Sequence, residues 1–182
     1  MDLNRNIITT VTAMNLAFKN VHPEDFRYNI RFLEKKRNLI MDGDFVKLVY
    51  SDEHTAMNSL FFVCALKIKQ HPTTQNVPVD PTEKCSIWFS PYEPSNFDSI
   101  QRMIEYEQVL IDEYKTHVKM LKKVPVLSLR NQLLSGNTRM YKLNEVVGVE
   151  PPPMTQIVVK ISGIWESNEN FGITYKFIEV YV

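Results

Sequence analysis

The sequence lacks the features on which most enzymes and membrane proteins depend. Its 182 residues include five glycines, two cysteines and four histidines, and the histidines are isolated from one another. No apolar run approaches the roughly 18 residues that a membrane-spanning helix needs. There is no glycine-rich phosphate loop, no nucleophile elbow and no H-E-x-x-H metal motif. We therefore expect a protein that is not an enzyme, binds no cofactor or metal and does not span a membrane.

An excess of charge is also missing, because 21 basic residues balance 21 acidic ones. This balance argues against a strongly basic nucleic-acid-binding domain. The charges are nevertheless segregated along the chain. One stretch has no acidic residue and carries Lys115, Lys119, Lys122, Lys123, Arg130, Arg139 and Lys142. This stretch is either a basic binding surface or the solvated end of a helix and the loop after it.

Cysteine is too scarce for a disulfide framework. Cys64 and Cys85 both lie in apolar runs, which predicts two reduced thiols in the core of an intracellular protein, with a disulfide as the alternative. The first 20 residues contain no basic segment followed by a continuous apolar run. We therefore expect no signal peptide.

The clearest element is a helix predicted over residues 97–122, which Pro125 ends. Ser95 and Asp98 have the spacing of a capping pair. An apolar stripe interrupted only at Glu107 consists of Phe97, Ile100, Ile104, Ile111, Tyr114, Val118 and Leu121. The remaining pattern predicts two short strands around a turn over 27–41, strands over 45–50, 57–69 and 85–90, a long loop over 70–84, and two C-terminal strands joined by the turn SNEN.

The order of these elements resembles that of the OB-fold, a five-stranded barrel with a helix between its third and fourth strands. We therefore predict a mainly β (α+β) protein that forms a single domain over 1–182. It comprises an N-terminal extension (1–43) and an OB-like core (44–182), and the last strand closes the barrel. A generic α+β sandwich with the same strands is the alternative.

Several side chains are candidates for contacts with single-stranded nucleic acid, in which aromatic rings stack on bases and cations follow the phosphates. Trp88 shares a strand face with two serines, which predicts an exposed indole unless another segment covers it. Lys67 and Lys69 share a face of the preceding strand, or simply mark its solvated end.

The C-terminal strands offer further candidates. Regular alternation places Trp165 in the core, whereas a bulge at Gly163 would turn it outward. The last strand changes its apolar face midway, as strands do at a barrel corner. Phe171 and Tyr175 would then reach the surface near two basic residues, Lys160 and Lys176.

Three pieces of the chain, "MDGDFVKLVYS…MNSLFFVCAL", "LRNQLLSGN" and "ISGIWE…FGITYKF", resemble one family. It comprises the single-stranded DNA-binding proteins of large DNA viruses of invertebrates and of their genome-integrated relatives. The resemblance is scattered over about 45–182 and carries no catalytic signature. It implies an OB-like core that coats single-stranded DNA during viral DNA replication or recombination. Many such proteins end in an acidic tail that recruits partners, and this chain shows none.

We therefore expect a non-catalytic single-stranded DNA-binding protein. RNA remains open as an alternative ligand, and a homo-oligomer and replication proteins remain open as partners. The resemblance implies the nucleus of an infected host cell, with the cytoplasm as the alternative. A different class of function is also open: a protein-interaction or virion structural module, whose aromatic edges bury against partner chains.

Overall fold

The computed structural model describes residues 26–38, 42–54, 56–70, 84–119, 122–141 and 155–180. Within these ranges the chain forms ten strands and two longer helices. In chain order they are β1 (Ile30–Asn38), β2 (Gly43–Ser51), β3 (Ala56–Asn58), β4 (Leu60–Leu66), β5 (Ile68–Gln70), β6 (Lys84–Phe89), α1 (Pro94–His117), β7 (Val124–Pro125), α2 (Ser128–Leu134), β8 (Asn137–Tyr141), β9 (Thr155–Glu166) and β10 (Asn170–Val180).

All ten strands belong to one mixed sheet. Their order is β1-β2-β9-β10-β8-β6-β5, with β3 paired to β2, β4 to β9 and β7 to β10. The pairings of β10 with β7 and β8 are parallel, and the others are antiparallel. The predicted mainly β chain with helices is confirmed. The paired strands follow an open order, which does not by itself define a barrel.

The two C-terminal strands form the centre of the sheet. β9 and β10 pair over ten positions, from Glu166 opposite Phe171 to Gln156 opposite Val180. The other edge of β9 is shared, because β4 pairs with residues 155–161 and β2 with residues 163–166. The predicted hairpin is confirmed, and most of the sheet is assembled around it.

The first strand differs from the sequence-based prediction. Two short strands around a turn were expected over 27–41, but β1 runs through the segment EKKRN as one strand with a bulge between Phe32 and Lys35. β1 lies at one end of the strand order. Basic side chains are common on such edges, because they remain solvated and discourage further strand pairing.

Helix α1 begins and ends earlier than predicted. The prediction that Ser95 and Asp98 cap the helix is wrong. The N-cap residue is Glu93, and its side chain makes no capping hydrogen bond. Pro94 instead occupies the first turn, where its fixed φ favours helix and its missing N–H costs nothing. The side chain of Asn96 bonds to both backbone groups of Lys67 and to the carbonyl of Ser90, which ties the start of the helix to the sheet.

The predicted stripe of α1 is confirmed in part, because Ile100, Ile111 and Tyr114 are buried and Ile104 and Val118 pack against the core. Leu121 lies outside the described residues. Phe97 is 45% exposed, whereas the buried apolar positions are Ile100, Met103, Tyr106, Leu110, Ile111 and Tyr114. Tyr106 stacks on Phe62 of β4 with 4.0 Å between ring centroids. The helix therefore covers one face of the sheet, and we call that face the inner face.

Glu107, which the sequence suggested as a break in the stripe, is completely buried. Its carboxylate accepts hydrogen bonds from the backbone N–H groups of Leu129, at 2.9 Å, and Arg130, at 2.7 Å. These donors lie in the first turn of α2, where N–H groups have no partner within the helix. Burial raises the pKa of Glu107, and the two hydrogen bonds oppose this rise without cancelling it. Glu107 thus caps α2 from α1 and fixes the position of the second helix.

A second buried acid, Glu166, joins parts of the chain that are distant in sequence. Its carboxylate accepts hydrogen bonds from Lys35 of β1 at 2.8 Å, from Lys123 just after α1, and from the hydroxyl of Tyr114 within α1. Burial alone raises the pKa of Glu166, but the hydrogen bonds from Lys123, Lys35 and Tyr114 outweigh burial and lower the pKa to about 2. The ionised carboxylate therefore holds the first strand and the end of α1 to the central hairpin.

Cys64 is buried and not disulfide-bonded, as predicted for a core thiol. Burial raises the pKa of its thiol to about 12, which keeps it protonated. The side chain of Cys85 lies outside the described residues. In the described part of the chain, neither helix is long and apolar enough to cross a membrane.

We predict that Glu166→Gln lowers the free energy of unfolding by about 2–3 kcal/mol at pH 7, because two lysines lose a buried anion. The pKa of Glu166 is lower in the folded state than the unfolded value of about 4.3. The stabilisation is therefore present above about pH 4.3 and is lost as pH falls towards 2. Urea unfolding between pH 7 and pH 2.5 should show the gap between wild type and variant narrowing below pH 4.3.

The matched control for this prediction is Glu169→Gln, which removes an exposed acid three residues away. This variant should follow the wild-type curve across the pH range. A constant gap between wild type and Glu166→Gln down to pH 2.5 would show that Glu166 is not the group that titrates.

Candidate nucleic-acid interface

The face of the sheet opposite α1 carries a different set of side chains from the core. Val46 and Leu48 of β2 and Phe62 of β4 are buried on the inner face. Because side chains alternate along a strand, their neighbours point to the other side. We call this side the outer face and define it by Phe45, Lys47, Phe61, Arg139, Lys160, Trp165 and Lys176.

A bulge in β9 sets which side chains reach the outer face. Ile161 pairs with Tyr175, and Gly163 pairs with the residue before it, Thr174. Ser162, between Ile161 and Gly163, is therefore an extra residue that is opposite no residue of β10. The alternation therefore changes phase, and Ile164 and Glu166 are buried. Regular alternation placed Trp165 in the core. That expectation is wrong, and the alternative, a bulge that turns the half-buried indole outward, is confirmed.

Two outer-face rings lie over glycines. A Cβ atom on Gly163 would be 2.6 Å from Cζ of Phe45, and one on Gly172 would be 3.0 Å from Cζ2 and Nε1 of Trp165. Phe45 and Trp165 are also direct cross-strand neighbours on β2 and β9. Because glycine has no side chain, both rings approach the backbone closely, and this contact restricts where each ring can lie.

Lysines crowd beside these rings. Lys160 and Lys176 are directly opposite each other on β9 and β10. Burial, and then the positive charges of Lys176 and Lys47, lower the pKa of Lys160. The ammonium of Lys160 lies 5.4 Å from the ring centroid of Phe61, within range of a cation–π contact. Like charges at opposite positions of a sheet are destabilising, so a bound anion would relieve this repulsion.

The basic row continues across the sheet to a predicted residue, Arg139. Phe177 of β10 pairs with Met140 of β8, so the preceding residues, Lys176 and Arg139, are level with each other. Trp88 lies on the next strand, β6, and is 43% exposed, as predicted from its polar strand face. One acid is close in register, since Glu34 lies in the bulge of β1 opposite Lys47.

The acid-free stretch does not form one surface. Lys123 is bound to the buried Glu166 and is therefore a structural residue rather than a phosphate contact. Lys115 lies 3.5 Å from Asp112, and Lys119 and Lys122 are exposed beyond the end of α1. Arg130 is exposed on α2, and Lys142 lies outside the described residues. Lys115 and Arg130 thus lie on the helices and not on the strands that form the outer face.

Four other predicted residues have different environments. Phe171 is completely buried on the inner face and cannot reach the surface as expected. Tyr175 is half-buried, and its hydroxyl donates to the carbonyl of Ser128 at 3.1 Å. Lys67 forms an exposed ion pair with Glu93 at 2.6 Å, and Lys69 is exposed. Of the residues predicted from sequence, Arg139, Lys160 and Lys176 lie on the outer face with Trp88 at its edge.

The sequence contains a signal for three outer-face residues that were not predicted. In the segment FVKLVYS of β2, Phe45, Lys47 and Val49 alternate with the buried Val46, Leu48 and Tyr50. In β4, Phe61 alternates with Leu60 and Phe62 in the same way. An aromatic residue beside a lysine on the solvent side of a strand was therefore readable from the alternation. The sequence did not show that these strands both border β9.

A polar cleft opens beside the basic side chains Arg139 and Lys176. Its volume is about 370 Å³, and it lies between α2, β8 and β10. The residues that line it are Gln132, Asn137, Thr138, Arg139, Tyr175, Lys176 and Phe177. Three of them, Arg139, Tyr175 and Lys176, are among the residues predicted from sequence.

Comparisons with protein-family models, curated proteins and solved structures find no match for this chain. The outer face combines restricted aromatic rings with closely spaced cations, which suits a ligand that has both planar rings and repeated negative charges.

We predict that Gly172→Ala destabilises the protein by about 1–3 kcal/mol, because the new methyl group overlaps the Trp165 indole and the carbonyl of Val126. The cost should shrink, without vanishing, in a Trp165→Ala background, where only the carbonyl overlap remains. Urea unfolding of the four proteins in this double-mutant cycle measures the coupling. A cost that is the same in both backgrounds would contradict the contact between the ring and the glycine.

Proposed function

We propose that this protein is a non-catalytic single-stranded DNA-binding protein whose outer face contacts the strand. The observation that carries the proposal is the juxtaposition of Phe45 and Trp165, seated over glycines, with the crowded lysines Lys47, Lys160 and Lys176. Aromatic rings stack on any base, and cations neutralise the phosphates that connect the bases. An anionic strand also removes the repulsion between the lysines.

A single strand suits this face better than a duplex. The bases of a duplex are stacked on one another and present only their edges in the grooves, whereas stacking on protein rings requires exposed base faces. The rings lie on β-strands rather than on a projecting helix, which is the element that most often enters a major groove. Overall neutrality fits a protein whose positive charge is local, with few phosphate contacts.

The architecture supports an OB-like interpretation, which we include in the proposal. β4 and β5 are separated only by Lys67, yet β4 pairs with β9 and β5 pairs with β6. If the two act as one strand, β9, β10, β8 and β6 would complete a circuit with it, as in a five-stranded barrel. By resemblance, the biological setting is viral DNA replication or recombination in the nucleus of an infected cell.

A second candidate function is a protein-interaction or virion structural module. Large apolar side chains are exposed away from the outer-face rings, and they include Tyr28 at 84% and Tyr92 at 73%. Residues of this kind are enriched in protein interfaces. This candidate does not explain why lysines are concentrated beside the rings on the outer face.

Our first test of the proposal concerns charge. We predict that the protein binds fluorescein-labelled oligo-dT with an affinity that falls linearly with salt on logarithmic axes, with a slope of roughly −0.7 per phosphate contact. We expect on the order of three to five contacts. Lys160→Gln together with Lys176→Gln should make the slope shallower by about 1.4, because two contacts are lost. Fluorescence anisotropy from low to high salt measures this slope.

The control for charge is the pair Lys115→Gln and Lys119→Gln, which removes the same charge from the end of α1. This pair should leave the slope unchanged. Equal effects of the two pairs would indicate a diffuse electrostatic attraction rather than a site on the outer face. No anisotropy change at micromolar wild-type protein and low salt would reject nucleic-acid binding and favour the interaction module.

Our second test concerns the rings. Phe45→Leu and Trp165→Ala should each weaken oligo-dT binding by about 1–3 kcal/mol and leave the salt slope unchanged, because stacking releases no counterions. Trp88→Ala should weaken binding in the same way if the strand extends to the edge of the face. Phe97→Leu, on the exposed side of α1, is the matched control and should bind like wild type. Unchanged affinity in both Phe45→Leu and Trp165→Ala would exclude stacking on this face.

A further inference from the structure

The polar cleft exists because the edge of β10 has a gap in its strand pairing. At one end of this edge Asn170 and Phe171 pair with β7, and at the other end Phe177 and Ile178 pair with β8. Between them, among the described residues, Gly172 to Lys176 has no strand partner on this edge. Helix α2 lies across the gap and is joined to it by the hydrogen bond from Tyr175 to the carbonyl of Ser128. The gap therefore leaves an open cleft between α2, β8 and β10.

The lining has three chemical parts. The half-buried ring of Tyr175 forms an aromatic wall, and the buried Phe177 packs edge-on behind it, with centroids 5.5 Å apart and planes at 80°. Burial raises the pKa of Tyr175 to about 12, so its phenol is neutral. Gln132 and Asn137 supply amide donors and acceptors, and the Gln132 amide donates to the backbone carbonyl of Asn137.

The third part of the lining is a pair of cations, Arg139 and Lys176, which also belong to the outer face. The cleft is therefore continuous with the basic row that the proposed function assigns to phosphates. A nucleotide matches this combination: its base is planar, carries donors and acceptors on its edges, and is joined to an anion. The volume of about 370 Å³ is within the range of about 300–1,000 Å³ that is typical of small-molecule sites.

We infer that this cleft accepts one base of the bound strand and that Arg139 and Lys176 hold the adjoining phosphate. The inference rests on the proposed function and adds a specific subsite to it. The base leaves the stack on the outer face, packs against Tyr175, and meets the amides of Gln132 and Asn137 with its polar edge. Because donors and acceptors on these amides differ in position, the four bases bind this cleft with different affinities.

Binding of mononucleotides tests the cleft without the rest of the strand. The probes are the four deoxynucleoside 5′-monophosphates, with deoxyribose 5-phosphate as the control that lacks a base. We expect the nucleotides to shift the backbone amide resonances of 137–139 and 175–177 in a saturable way. Deoxyribose 5-phosphate should bind about 5- to 100-fold more weakly, which is the range expected when one stacked base is lost.

A cleft-filling variant provides the second measurement. Gln132→Phe places a ring in the space and removes the amide that donates to the carbonyl of Asn137. We expect Gln132→Phe to abolish the mononucleotide shifts and to weaken oligo-dT binding about 5- to 100-fold with an unchanged salt slope. Asn131→Phe, at an exposed position of the same helix, is the matched control and should behave like wild type. Thermal melting establishes that both variants are folded.

The outcomes separate the inference from the proposed function. Oligo-dT binding with shifts confined to the outer face, or equal binding of nucleotide and sugar phosphate, overturns the cleft and leaves the proposed function intact. A folded Gln132→Phe protein with wild-type affinity for both ligands also overturns the cleft. Failure of the wild-type protein to bind oligo-dT at all overturns the proposed function, and the inference with it.

Discussion

The carboxylate of Glu166 is enclosed by Lys35, Lys123 and Tyr114, and both faces of the sheet depend on its position. A buried carboxylate is stable only when it is paired and hydrogen-bonded, so these three partners hold the end of β9 with this side chain inward. The bulge before it, at residues 161–163, makes the inward position compatible with the buried Ile161. The same change of phase directs Trp165 outward. Core stability and the aromatic content of the outer face therefore follow from one local feature.

The outer face places like charges at neighbouring positions of the sheet. Lys160 and Lys176 repel each other across the β9–β10 pair, and a nearby Lys47 adds to the repulsion. On the described part of β1, Glu34 lies in the bulge opposite Lys47. Unfavourable arrangements of this kind persist where the surrounding structure enforces them, and they are typical of binding sites. A polyanionic ligand with planar groups satisfies both the lysines and the rings.

Local patterns in the sequence predicted the elements whose residues respond mainly to their neighbours. The C-terminal hairpin, the outward Trp88 and the buried Cys64 all follow from alternation in short apolar runs. The failures occur where a distant partner decides. Glu107 appeared to interrupt the helix stripe because its partners, the N–H groups of α2, are more than twenty residues away. Lys123 appeared to be a free cation because its partner, Glu166, is more than forty residues away. The outer face itself depends on which strands border β9, and no local pattern contains that information.

Photochemical cross-linking tests the central claim, that single strands lie on the outer face, most directly. An oligonucleotide containing 5-iododeoxyuridine, irradiated in complex with the protein, cross-links to aromatic side chains in contact with the base, and mass spectrometry identifies the peptide. The account predicts cross-links at Phe45, Phe61 or Trp165. Cross-links confined to Tyr28, Tyr92 or Phe97, outside the outer face, would contradict it.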